Sequence, residues 1–522
     1  MLLTMPHLLI SSTFLLLTSI SIRVWKQRRL WRGLPLPPGP KRLPILGNVF
    51  DLNVYEPWLT YTNWAKKYGD IVYSTILGHE FVIINTEKLA HTLLEQRSGV
   101  YSDRPYVFTN MFFGLDFNTG LLPYGDRWRQ HRKMLHVGFN KEACRKYQSM
   151  QLQKVRQLLE NFTVSPTQFP MHLKTLAVAT IMTVTYGYDV APAEDPFVTK
   201  IVRIIDLFIQ DIGTERAALV ELIPFLQYIP MWLPGGMYKR RAVESRGLAR
   251  DILNDPVEYV KAEMAGGTTQ QSLVKDLLNK YTTKDGVVTA EDEETIKAVA
   301  ATVSFSGAET TDSVLSVFLL AMVLHPGVQI KAQEEIDRVI GDSRLPDFSD
   351  REGLPYVEAV YLETLRWRPT VPCSLPHLTS TSDVYDGYYI PKGAILLVNV
   401  WGMTHDESRF PDSMSFKPER HMLPTGELIQ GTAPLSFGFG RRKCPEQYIA
   451  DQSIWASIVP ILATFRIGKG KDSTGCDIDV NPEFTVGFAV RPKPFVCAIE
   501  PRSANAERLI YASNRACECW VV

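Results

Sequence analysis

The sequence predicts a mainly α protein with a minor β part, folded as a single large domain on an N-terminal transmembrane helix. Three observations carry this. Most of the chain has helical periodicity, longest over residues 290–324. Strand-like segments are short and few. No stretch beyond the N-terminal region reads as an interdomain linker or an internal repeat, although 522 residues at about 150 per domain would suggest three domains. A composition 45% hydrophobic and 11% aromatic supplies a large core and excludes a disordered or fibrous chain. Lys+Arg and Asp+Glu are both 56, so the formal net charge is zero and nothing favours nucleic acid electrostatically. Seven cysteines are sparse and odd in number, which argues against a disulfide-stapled secreted scaffold and leaves at least one thiol without an intramolecular partner.

Residues 1–22 contain no Asp, Glu, Lys or Arg, and their centre, Leu8 to Ile10 and Phe14 to Leu17, is strongly apolar. About 20 such residues span a hydrocarbon core as a helix. Arg23, Lys26, Arg28, Arg29 and Arg32 follow at once, with Trp25 and Trp31 suited to the interface. A cleaved signal sequence, the alternative, would put the charge before the apolar run and a small-residue cleavage site after it. Here the charge comes after, so the expectation is an uncleaved anchor with the remaining chain on the cytoplasmic side. Residues 23–47 are basic and then proline-rich, from Leu34-Pro35-Leu36-Pro37-Pro38-Gly39-Pro40 to Pro44 and Gly47. Closely spaced prolines favour a stiff extended connector; a motif for a proline-binding partner is the alternative. The domain is expected over residues 48–502.

Within it, Asp70 to Asn85 is rich in β-branched and aromatic residues with Gly78 at a bend, which predicts a hairpin. The run 290–324 predicts a helix of about 50 Å. Thr289 caps it, Glu291 to Glu294 load its first turns, and His325-Pro326-Gly327 ends it. Further strand-like pieces fall at Ile390, at Ala394 to Val398 and at Phe484 to Val486. Inside the long helix lies Ser306-Gly307-Ala308-Glu309-Thr310-Thr311. A mid-helix glycine costs about 1 kcal/mol relative to alanine, and a groove for a ligand or flat cofactor would justify Gly307. Glu309 beside Thr310 offers an acid–hydroxyl proton path. An ordinary helix kink is the plain alternative.

Three other patterns bear on chemistry. Trp128 and Arg132 stand one helical turn apart and can both face an anionic group, arginine binding carboxylates bidentately; simple surface packing is the alternative. Glu363 and Arg366 can pair at i, i+3, as a surface ion pair if nothing more. Phe437-Gly438-Phe439-Gly440-Arg441-Arg442-Lys443-Cys444 is a tight Gly/Arg loop that ends just before a helix-like run. A helix N-terminus and basic neighbours lower a thiol pKa. With no CxxC partner, zinc and iron–sulfur clusters fit poorly, whereas one isolated cysteine suits a single axial thiolate on haem iron.

On these residues the sequence resembles the cytochrome P-450 haem-thiolate monooxygenases. Their cysteine-loop pattern F-x-x-G-x-R-x-C is met by Phe437, Gly440, Arg442 and Cys444, and their [A/G]-G-x-[D/E]-T-[T/S] pattern by Gly307 to Thr311. Two positions depart: Ser306 replaces a smaller apolar residue, and Glu446 stands where the family usually has glycine. Trp128/Arg132, Glu309/Thr310, Glu363/Arg366, Phe416 to Arg420 and Cys444 follow in the family order. The resemblance covers residues 34–501, and the motif style is similar to fungal microsomal members, notably the O-methylsterigmatocystin-oxidoreductase-like group.

The resemblance implies the cytochrome P-450 fold and haem b ligated by Cys444. It places Trp128, Arg132, His377 and Arg442 on the propionates, Phe437 and Gly440 in the haem loop, and Glu309 and Thr310 in proton delivery. Glu363, Arg366 and Arg420 would form a buried charge network. It further implies O₂ and a lipophilic substrate, bound among Phe108 to Phe113, Val303 to Phe305 and Thr370 to Leu375. Electrons would come from a membrane-bound NADPH cytochrome P-450 reductase, with cytochrome b5 as a second donor. Arg441 and Lys443 would dock the reductase or simply be solvated, and the location would be the endoplasmic reticulum membrane. Terpenoid or polyketide tailoring in fungal secondary metabolism is the expected role. Broad oxidation of aromatic xenobiotics and a non-catalytic membrane haem sensor are the alternatives. Residues 503–522 have no family counterpart and are expected as a poorly ordered tail.

Overall fold

Prolines open the described chain and decide its first contacts. In this computed structural model the described residues are 33–191, 195–211, 229–233, 236–487 and 489–518; the predicted anchor, residues 1–22, lies outside them. Pro38 O accepts from Tyr73 N at 2.9 Å and Pro35 O from Tyr389 N at 2.8 Å. The proline-rich connector is therefore fastened along the domain. Gly39 is required there, because a Cβ would sit 1.9 Å from Tyr73 O.

The predicted hairpin forms as β1 (Ile71–Ile76) and β2 (His79–Ile84), registered from Ile71↔Ile84 to Ile76↔His79. Its two turn residues, Leu77 and Gly78, both have positive φ (51° and 85°), which matches the right-handed twist of the strands. Four strands lie between residues 377 and 398: β3 (His377–Leu378), β4 (Asp383–Tyr385), β5 (Tyr388–Ile390) and β6 (Ile395–Val398). β6 runs parallel to β2 and antiparallel to β3, giving the sheet order β1-β2-β6-β3, while β4 and β5 form a separate ribbon. A third small sheet joins β7 (Phe465–Lys469) to β8 (Cys497–Pro501). The strand expected at Phe484 to Val486 is instead one isolated bridge, Phe484↔Pro492. Pro482, Pro492 and Pro494 flank it, and proline cannot donate to a ladder.

The remaining body is helical. The helices that frame the site are α1 (Asp126–Phe139), α2 (Phe169–Tyr186), α3 (Ala290–Leu324), α4 (Pro355–Trp367), α5 (Gln447–Thr464) and α6 (Ala504–Glu518). α3 has the predicted bounds: Thr289 Oγ1 accepts from Asp292 N at 3.1 Å, acidic residues fill the first turn, and Pro326 follows. By length and composition α3 could cross a bilayer, yet it is mostly buried inside the protein. Its C-terminal half packs Phe318, Leu319 and Met322 with Trp367 and Trp455. Its N-terminal half packs Val299 and Val303 with Met134, Ile181 and Met182. The stretch from Ser306 to Thr311 lies where the helix passes from one core to the other.

The expected disordered tail is corrected by α6. Ser503 Oγ caps it by accepting from Ala506 N at 3.1 Å, Ile510 is fully buried, and Asn514 Nδ2 donates to Glu160 Oε2 at 2.7 Å. Ala506 and Ile510, one turn apart and both buried, give the segment enough apolar surface to dock. Ile510→Ala should lower unfolding stability by about 2–4 kcal/mol, read from denaturant midpoints; an unchanged midpoint would mean that α6 contributes nothing.

Candidate active site

The cysteine loop folds back on itself through Gly438 and Gly440, both at positive φ (74° and 57°), and Cys444 N donates to Phe437 O at 2.8 Å. α5 starts three residues after the cysteine. Gly440 does not line the site. It faces the opposite way, where a Cβ would lie 1.9 Å from Leu94 O, so its role is backbone packing. Cys444, Phe437 and Arg442 line one cavity of about 360 Å³, together with Trp128 and Arg132 from α1, His377 from β3, and Glu309 and Thr310 from α3. Residues spread over more than 300 positions of sequence thus converge on one space.

The walls are mostly apolar, with Leu121, Ile181, Ile205, Phe208, Phe305 and Ile449 among them. Three expectations about them change. Phe108 to Phe113 do not line the cavity: Phe108–Phe112 is a short helix, with Phe112 stacked on Tyr238. Val303 is fully buried in the core. Gly307 does line the cavity, but a Cβ there would approach Ile181 Cγ1 to 2.7 Å. The glycine is demanded by the close passage of α2 over α3.

One side of the cavity is cationic. Arg442 donates from Nε to Ser102 O and from Nη2 to Leu122 O, both at 2.8 Å, while its Nη1 is buried without a partner. It lies 4.5 Å from the Trp128 ring centre. Arg104, which the sequence reading missed, is only 6% exposed and donates to Gly120 O (2.9 Å), Leu375 O (2.9 Å) and Pro376 O (2.6 Å). Nothing in Ser102-Asp103-Arg104-Pro105 marks it; only the fold reveals its burial. Burial lowers the pKa of Arg104, Arg132 and Arg442, the last to about 10. Among the described residues none of the three makes an ion pair with a carboxylate. His377 Nδ1 donates to Tyr101 O at 2.8 Å. Burial, reinforced by Arg104 and Arg442, holds its pKa well below the ordinary value. The neutral ring then presents a lone pair at Nε2, a nitrogen that can donate to an anion alongside only after the ring itself takes up a proton.

Haem fits this chemistry. It needs an apolar slot, a sulfur ligand and cations for two carboxylates. The cavity offers apolar walls, Cys444, and buried guanidinium groups with an unused donor. Burial pushes the Cys444 thiol up to about 12, with Glu446 adding to the effect and the Glu446 N–H, Arg132 and Lys443 opposing it. The expectation that the helix N-terminus and basic neighbours lower this pKa is therefore corrected; coordination deprotonates a thiol outright.

On α3, Glu309 Oε1 accepts from Arg491 Nη1 at 2.8 Å, and Asp312 lies 3.8 Å from the same nitrogen. Burial, helped by the charge of Glu309, raises the Asp312 carboxyl to about 6. Thr310 Oγ1 donates to Ser306 O at 3.2 Å. Behind the cavity, Glu363 on α4 is fully buried. It accepts from Arg366 Nε and Nη2 (2.7 and 2.8 Å), Arg420 Nε (3.1 Å) and Lys417 N (2.8 Å), and meets His421 Nε2 at 2.9 Å. Lys417 and His421 are additions that sequence spacing did not single out.

A family model for cytochrome P450 matches residues 37–498, and the chain belongs to the cytochrome P450 family. It is a haem-thiolate monooxygenase. Cytochrome P450 monooxygenase 176 of Postia placenta is 35% identical over 511 residues, 97% of each chain. Cytochrome P450 monooxygenase ppsD of Aspergillus oryzae is 38% identical over 515 residues, 97% of this chain and 96% of its own. Cytochrome P450 monooxygenase claR of Ampulloclitocybe clavipes is 38% identical over 479 residues, 91% of this chain and 88% of its own.

Burial pushes the Glu363 carboxyl up, but the hydrogen bonds from His421 and Arg366 outweigh it and hold it below the ordinary value. A lowered carboxyl pKa stabilises the fold fully above the unfolded value of about 4.3, and that stability is lost as pH falls through the folded value. Glu363→Gln should cost about 3–5 kcal/mol at neutral pH by leaving buried cations unbalanced. It should also flatten the loss of stability below about pH 4. Denaturation midpoints against pH would show both, and a slope equal to the parent's would exclude Glu363 as its source.

Proposed function

We propose that this monooxygenase inserts one oxygen atom of O₂ into a lipophilic fungal metabolite of terpenoid or polyketide type. The observation that carries the reading is the convergence of Cys444, the buried cations and the acid–hydroxyl pair on one apolar-walled cavity. Haem, when bound, supplies the activation of O₂. Cys444 would hold its iron through sulfur, and Arg104, Arg132, Arg442 and the Trp128 indole would hold its propionates. The apolar walls orient a greasy substrate and exclude water. Thr310 holds a hydroxyl at the cavity wall, and Glu309 brings protons to it once its carboxylate exchanges Arg491 for water. Electrons arrive from a membrane-bound NADPH cytochrome P-450 reductase, with cytochrome b5 as a second donor. Arg441, exposed on the cysteine loop, suits an acidic partner surface. Residues 1–22 and the basic cluster after them support a single-pass anchor in the endoplasmic reticulum membrane with the domain in the cytoplasm.

Microsomes carrying the protein and a reductase, fed NADPH and a panel of terpenoids, polyketides and simple aromatics, should oxygenate the first two classes. Oxidation confined to the aromatics would instead favour a xenobiotic hydroxylase. Cys444→Ser should abolish the red-shifted Soret band of the reduced carbon-monoxide complex; a retained band would remove Cys444 from the ligand position. Thr310→Ala should leave NADPH consumption but cut product per NADPH by about tenfold or more, within the range of general acid–base contributions. Unchanged coupling would count against the hydroxyl's role.

A further inference from the structure

The two positions at which this chain departs from the family pattern are in contact with each other. Ser306 Oγ on α3 lies 2.9 and 3.2 Å from the two carboxylate oxygens of Glu446, 140 residues away. Both residues line the cavity, and Glu446 is buried. Each substitution alone would be awkward. A carboxyl group in place of glycine beside a buried thiol needs a partner, and a serine hydroxyl on this face of α3 offers one.

The contact is also chemically complete. The serine hydroxyl is held between its own helix and the Glu446 carboxyl, reaching Thr302 O at 2.8 Å and Val303 O at 3.4 Å besides the two carboxyl oxygens. Ser306 thus anchors the Glu446 side chain. The backbone of the same residue has two further partners. Glu446 N–H donates to the Cys444 sulfur, and Glu446 O accepts from Ala450 N at 3.0 Å in the first turn of α5. Glu446 thus joins the middle of α3, the thiol and the start of α5. Hydrogen bonds to a ligating sulfur, and the groups that orient them, tune the metal that the sulfur binds.

We propose that Ser306 and Glu446 act as a positioning pair for the axial ligand: Ser306 fixes the Glu446 side chain and so holds the Glu446 backbone N–H against the Cys444 sulfur. The proposal rests on Cys444 being the haem ligand. It gives the glycine-to-glutamate replacement a function that it would lack as an isolated change. It also predicts that the two positions behave as a unit, because removing one partner strands a buried polar group while removing both does not.

The test uses the haem-loaded protein and two readouts other than turnover: the Soret band of the reduced carbon-monoxide complex, and the rate of haem transfer to excess apomyoglobin. Ser306→Ala should release haem about tenfold faster, the scale of stranding one buried polar group, and should show a mixture of thiolate-type and thiol-type bands. Glu446→Gln keeps the side chain's shape and its hydrogen bond to Ser306, and should match the parent in both readouts. The double variant Ser306→Ala/Glu446→Gly, which restores the family residues, should also return toward the parent. A Ser306→Ala protein indistinguishable from the parent would overturn the proposal, as would a Glu446→Gln protein as disturbed as Ser306→Ala. A parent with no thiolate-type band at all would instead overturn the underlying assignment of Cys444.

Discussion

Folding this chain brings Arg104, Arg132 and Arg442 to the wall of one cavity, and among the described residues none of them is in a direct ion pair with a carboxylate. Arg104 and Arg442 are held by backbone carbonyls from the loops around residues 102–122 and 375–376, and Arg442 keeps a buried Nη1 in reserve. Carbonyl dipoles offset only part of the cost of taking a cation out of water. The architecture around the cavity is therefore incomplete as a polypeptide and is finished by an anionic group. A ligand that binds only the folded state stabilises it by mass action, so haem acts here as part of the fold as well as the reagent.

The electrostatics of the two ends of the cavity then make sense together. At the cationic end, positive charge waits for carboxylates. At the sulfur end, burial keeps the Cys444 thiol protonated until a metal takes the proton's place. Neither end is comfortable alone, and the same prosthetic group relieves both. The Glu363 cluster follows the opposite logic: its charges are already matched within the protein, so it braces the loop from residue 412 to residue 421 without any cofactor.

Much of this was legible in the sequence, for identifiable reasons. α3 announced itself because its cap, its acidic first turn and its terminating proline are all local signals. Cys444, Arg442, Trp128 and Glu363 were visible because their spacing within short motifs is rigid. What escaped depends on contacts between distant segments. Gly307 lines the cavity, but the side chain that also crowds it, Ile181, comes from another helix. Arg104 is set inside by three carbonyls that no local pattern encodes. Gly440 belongs to the haem-loop motif yet faces Leu94. Thr310 and Glu309 line the cavity, but the Arg491 partner of Glu309 comes from a loop some 180 residues on. The tail, which has no family counterpart, was expected to be poorly ordered because its few apolar residues gain meaning only against the helix over Gln148–Val164.

The proline-rich segment has a further consequence, for solubility. β1 is an edge strand, and an uncovered edge invites pairing with another chain. Pro38 accepts from Tyr73 N, Asn48 N donates to Thr75 O at 2.6 Å, and Gly47 bridges Ile76. Residues 38–48 thus lie over that edge, with their prolines unable to extend the ladder outward. A shortened protein that begins before Pro35 keeps this edge covered; one that begins after Asn48 bares a strand of Ile71, Tyr73 and Thr75 to every neighbouring molecule.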